Sequence, residues 1–132
     1  NNPVVNKMWL PIANSALALK DSPEKTVEFL ETTRQYEGGT YFWDNYLRGQ
    51  AYLKLKKNEL AIAEFQKIIQ NRGWATHSPL FALTHLQLSR AFSAQNDTEN
   101  AKKYAEQFAA FWKDADADLR RLEICLFCSL RV

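Results

Sequence analysis

The chain has 132 residues, of which 46% are hydrophobic, 13% aromatic and 24% charged, and its formal net charge is +2. That length gives one domain or a short repeat array able to bury a core without disulfides or metals, and the composition excludes a disordered chain. Charges of both signs spread along the chain leave no basic footprint for nucleic acid, and no apolar run approaches the ~20 residues of a membrane span.

Four glycines and four prolines are too few for a loop-rich β architecture and point to long helices. The opening Asn1-Asn2-Pro3-Val4-Val5 has neither an initiator Met nor the pattern of a signal peptide. It reads as a piece cut from a longer protein.

The first predicted helix runs from Trp9 to Leu19, interrupted near its start by Pro11. Ser22-Pro23 supplies an N-cap followed by proline at the first helical position, where the missing N–H costs nothing. The helix it opens is expected to end around Tyr36, before Gly38-Gly39. The next spans about Tyr41 to Lys56, with Phe42, Trp43, Tyr46, Leu47, Ala51, Tyr52, Leu53 and Leu55 covering most of its circumference. A helix apolar nearly all round is contacted on several sides. Asn58 is a candidate N-cap for a helix carrying Ala61, Phe65 and Ile68 on one face. After a connection over Asn71 to His77, Ser78-Pro79 opens a fifth helix. Asp97 and Thr98 open a sixth, with Ala101, Ala105, Phe108 and Trp112 on one face. Asp116 or Asp118 can cap a last helix through Leu119, Leu122, Leu126 and Leu130.

Two windows repeat with a spacing of 40 residues. Ala51, Glu59 and Ala61 in the first answer to Ala91, Glu99 and Ala101 in the second. Each window is a helix pair with a small-x-Ala-aromatic run in its first helix (Gly49-Gln50-Ala51-Tyr52, Ser89-Arg90-Ala91-Phe92) and an alanine opening the face of its second. This pattern resembles the tetratricopeptide repeat over Asp44–Asn71 and Thr84–Lys113. Met8–Tyr36 follows it more loosely through Ala16, Leu17, Thr26 and Leu30. Ile68 and Phe108 are bulkier than the small residue usual at their places, which bears on the packing angle between units. The strings Tyr46-Leu-Arg-Gly-Gln-Ala-Tyr52, Glu64-Phe-Gln-Lys-Ile68, Ala82-Leu-Thr-His-Leu-Gln-Leu88 and Phe111-Trp-Lys-Asp-Ala-Asp116 are similar to the C-terminal repeat tails of bacterial serine/threonine kinases and winged-helix transcriptional regulators.

The resemblance implies an all-α, right-handed superhelix in one domain over residues 1–132. Its helix pairs would lie at about 7–37, 41–71 and 78–113, followed by a capping helix at about 118–130. It also implies a non-catalytic module that binds a protein or peptide partner in a concave groove lined by the first helix of each pair. By resemblance, the groove-facing positions are Trp43, Tyr46, Gln50, Leu53 and Lys54 in the second pair, and Leu83, Leu86, Arg90, Ser93 and Ala94 in the third. Tyr46, Leu83 and Leu86 carry a second reading, as packing against the neighbouring helix pair. A rival function is self-assembly into a homodimer through Trp43, Trp74, Trp112 or the apolar terminal helix, and a third is a structural spacer.

Other residues invite chemistry without supporting it. Asp114-Ala-Asp116-Ala-Asp118 starts like a calcium loop, but the sixth and twelfth positions hold Leu119 and Cys125 where glycine and a bidentate glutamate are needed. Cys125-Leu-Phe-Cys128 lacks the second ligand pair of a zinc site and the βαβ setting of a redox motif. His77 and His85 have no nucleophile and orienting acid in an evident constellation. The clusters Lys54-Leu-Lys56-Lys57, Lys102-Lys103 and Arg120-Arg121 read as solvated helix faces. No cofactor, metal or catalytic group is expected.

Overall fold

A computed structural model of the chain describes residues 2–75 and 77–113. Every regular element among them is helical. Six α-helices follow one another: α1 (Leu10–Ala18), α2 (Pro23–Glu31), α3 (Trp43–Lys54), α4 (Asn58–Gln70), α5 (Pro79–Ala94) and α6 (Thr98–Trp112). Each packs on the next, and α3 also touches α1 and α5, so α1, α3 and α5 form one layer. The expected terminal helix at 118–130, with Cys125, Cys128 and Asp114 to Asp118, lies outside the described residues.

The punctuation explains most of the boundaries. Ser78 accepts from the Leu80 N–H at 3.3 Å ahead of Pro79, and Asp97 accepts from the Asn100 N–H at 3.1 Å. Ser22 precedes Pro23 without a side-chain cap, and Lys57 replaces Asn58 as the N-cap of α4. Pro11 has no N–H to continue the helical ladder. Ahead of it, residues Val5–Trp9 wind as a π turn, with the Leu10 N–H reaching back to the Val5 carbonyl.

The 40-residue period is visible in the backbone itself. Lys56 and Asn96 both take left-handed dihedrals, at φ 57° and 61°. The next N–H in each case bonds five residues back in the Schellman manner, Lys57 to the Tyr52 carbonyl at 2.9 Å and Asp97 to the Phe92 carbonyl at 3.0 Å. The following helices then open identically, Ala61 N–H on the Lys57 carbonyl and Ala101 N–H on the Asp97 carbonyl. Two helix pairs thus share one turn geometry.

Elsewhere the tertiary structure overrides the pattern. The helix expected to end near Tyr36 stops at Glu31 and is followed by a 3-10 turn at Arg34–Tyr36. The Thr33 hydroxyl donates to the Leu30 carbonyl at 2.8 Å, a local bond that competes with the helix. The helix expected from Tyr41 begins at Trp43, because Tyr41 and Phe42 hold φ of 52° and 71°. That strained backbone turns the Phe42 ring inward, where it is buried and stacks on Trp74.

Helix α3 is buried on several sides, with Asp44 through Gly49, Ala51 and Tyr52 all buried. Its apolar side joins Phe65, Ile68, Leu88 and Ala91 in the main core, and Leu47 joins Met8, Ile12 and Leu30 in a smaller one. Its other side carries a buried charge network. Arg48, fully inaccessible, donates from Nη1 to Glu64 at 2.9 Å and Glu37 at 3.3 Å. From Nη2 it reaches the Leu30 carbonyl at 3.2 Å, Thr33 at 3.3 Å and Asp44 at 3.4 Å. Thr40 also donates to Asp44, Asn45 donates to Glu64, and Lys67 reaches Glu37 from the rim. This network ties the loop after α2 to both helices of the next pair.

Candidate partner-binding cleft

The layer formed by α1, α3 and α5 bears a cleft of about 320 Å³ lined by Leu19, Gln50, Leu53, Lys54, Gln87 and Arg90. Residues 50, 53 and 54 on α3, and 87 and 90 on α5, share faces because helical neighbours stand three and four apart. Lys54 is exposed and Arg90 half-buried. Neither makes an ion pair with a described residue, because the ion pairs formed lie in the Arg48 network and at the exposed Lys102–Glu106 contact. Among the described residues no acid lines the cleft. Two cations, two amides and two leucines therefore face one open volume.

Four of the expected groove residues, Gln50, Leu53, Lys54 and Arg90, converge there. Trp43 is exposed, Leu83 is half-buried against the main core, and Ser93 and Ala94 are exposed beyond the cleft. Tyr46 and Leu86 are buried, at 8% and 2% exposure, in keeping with their second reading as packing residues. The Tyr46 ring meets Phe65 edge-on at 6.0 Å, and its hydroxyl accepts from Gln87 Nε2 at 3.2 Å. Burial raises the Tyr46 pKa above its usual 10.0, against the Gln87 hydrogen bond and the Arg90 charge, so the phenol stays neutral. Leu19 and Gln87 are the two cleft residues absent from the expected groove, Leu19 because only packing brings the end of α1 to it; Gln87 was the more legible. Its signal was a polar side chain between Leu86 and Leu88, one turn before Arg90.

The two histidines sit apart from this cleft. His77 is exposed in the turn before α5. His85 Nδ1 donates to the Phe81 carbonyl at 2.8 Å, and its ring lies 5.0 Å from both Phe81 and Phe111. Burial, reinforced by the charge of Arg72, holds its pKa below the usual 6.5 against that hydrogen bond. A base with a depressed folded pKa contributes stability above its unfolded pKa and loses it as pH falls towards the folded value. The melting temperature is therefore expected to fall between pH 7.5 and pH 5, and the His85→Phe variant should show a shallower fall over that window.

Among the described residues no group of His, Cys, Asp and Glu could hold a metal ion, and no helix is long and apolar enough to cross a membrane. Of the tryptophans considered for self-assembly, Trp43 and Trp74 are exposed, whereas Trp112 is half-buried and stacks on Phe108 at 5.3 Å.

Residues 45–72, which cover most of α3 and all of α4, match the tetratricopeptide repeat family. No curated protein and no solved structure matches the chain. The match falls on the helix pair that supplies Gln50, Leu53 and Lys54 to the cleft. A tetratricopeptide-type helical repeat is accordingly the fold of this domain, and protein–protein interaction is the function such repeats suggest.

Proposed function

We propose that this chain is a non-catalytic docking module that captures an acidic segment of a protein partner in the cleft between α1, α3 and α5. The observation that carries this reading is the convergence of Lys54 and Arg90 on a cleft where, among the described residues, neither has an ion-pair partner and no acid forms part of the lining. Gln50 and Gln87 offer amide donors and acceptors for the partner's backbone, and Leu19 and Leu53 give it an apolar floor. Opposite charge at such a surface steers encounter and selects the partner. The resemblance to repeat tails of bacterial kinases and regulators supports a place as the accessory part of a regulatory protein, with chemistry or DNA binding carried by another domain.

Fluorescence anisotropy with synthetic acidic, neutral and basic peptides of equal length tests this. The acidic peptides are expected to bind, with affinity falling as salt rises. Lys54→Glu and Arg90→Glu should each weaken that binding about tenfold or more, equivalent to about 1.4 kcal/mol, with helicity unchanged because neither side chain is in the core. Equal binding of all three peptide classes, or indifference to both reversals, would remove the cleft from consideration.

A further inference from the structure

Helix α1 is apolar on two opposite sides. Ile12 turns inward at 7% exposure, while Leu10 and Leu17 stand outward at 49% and 80%. The outward side borders α2, where Phe29 is also exposed, and between the helices lies a second cleft of about 510 Å³. Leu17, Phe29, Asp21 and Lys25 line it. In a stack of helix pairs each pair buries both faces against neighbours. Here α3 packs on one side of α1 and α2, and no described residue covers the Leu17 side. A leucine so exposed beside exposed Leu10 and Phe29 marks an interaction surface more than a solvated helix face.

The charges on this face select its occupant. Asp21 and Lys25 are exposed, and neither is ion-paired within the described residues. A partner of single charge sign would be attracted by one and repelled by the other. A second copy of the same face, related by a two-fold axis, satisfies both at once, because a residue and its opposite exchange places across an isologous interface. We infer that two copies of this chain pair through the outer face of α1 and α2. Leu17 and Phe29 form the apolar centre, and Asp21 of each copy faces Lys25 of the other. The surface is distinct from the cationic cleft, so dimerisation leaves that cleft open and brings two of them into one particle.

Light scattering of the full 132-residue chain, across a wide concentration range and under reducing conditions, reads this directly. The mass is expected to rise from 15.3 kDa towards twice that value as concentration increases. Leu17→Glu should hold the chain at the monomer mass with its helical circular dichroism unchanged, since so exposed a side chain supports no core. Asp21→Lys should weaken dimerisation about tenfold, and the exchange Asp21→Lys/Lys25→Asp should restore it, because the pair is then reversed and not lost. A monomer at every concentration, a dimer indifferent to Leu17→Glu, or an exchange that fails to restore pairing would each overturn the inference. The Lys54→Glu and Arg90→Glu variants should dimerise normally, which keeps this test separate from that of the peptide cleft.

Discussion

Replacing Arg48 by methionine is expected to lower the unfolding free energy by about 3–5 kcal/mol, the cost of breaking a buried ion pair from one side. Methionine keeps most of the volume but removes the cation from Asp44 and Glu64, at 0% and 5% exposure. Thr40 and Asn45 still donate to those carboxylates, but a neutral hydrogen bond does not replace the charge. A domain of this size has about 5–15 kcal/mol in total, so the variant should unfold at markedly lower denaturant. Removing the negative charges as well, in Arg48→Met/Asp44→Asn/Glu64→Gln, should recover part of the loss. Lys67→Met, which touches the same network from its exposed rim, should cost about 1 kcal/mol or less. Urea unfolding of the four proteins at neutral pH decides the matter. A cost below about 1 kcal/mol for Arg48→Met would mean that the network contributes little beyond its packing.

The second large effect concerns Gly49, in the middle of α3. Alanine normally stabilises a helix interior by about 1 kcal/mol relative to glycine. At this position the added methyl would lie 2.5 Å from Phe65 Cε1 and 2.6 Å from Cζ, and Phe65 is completely buried. The ring has no room to withdraw, so Gly49→Ala should destabilise by about 1–3 kcal/mol, as overpacking of a filled core does. Gly73→Ala meets nothing within 4 Å and should be close to neutral. Combining Gly49→Ala with Phe65→Leu should cost less than the sum of the two changes, a coupling that thermal melts can resolve. Simple additivity would show that α3 and α4 do not approach through this contact.

Much of the fold was legible because helix boundaries and repeat turns rest on local chemistry. Ser78-Pro79 and Asp97 mark their helices through bonds spanning two or three residues. The 40-residue echo of Ala51 in Ala91 reappears as paired left-handed turns at Lys56 and Asn96. The cleft was legible in part for the same reason, since the helical period alone puts Gln50, Leu53 and Lys54 on one face. Leu86 and Gln87 differ because each residue advances about 100° around a helix, so one step exchanges a buried side chain for a cleft-lining one, whereas Tyr46, one turn before Gln50, is covered by Phe65 and Gln87 from other helices.

The sequence by itself determined the all-helical class, the repeated turns between helices and the face that Gln50, Leu53 and Lys54 share on α3. Those follow from period, capping and turn chemistry within a few residues of chain. Only the tertiary structure decided that the i,i+4 pair Asp44–Arg48, which on an isolated helix would be a solvated ornament, is the anchor of a buried network. It alone decided that Tyr41 and Phe42 leave the helix to set Phe42 against Trp74, and that Gly49 is fixed by the Phe65 ring. Each depends on groups brought together from distant parts of the chain. Burial and charge pairing across such distances are properties of the packed layers, and no local pattern carries them.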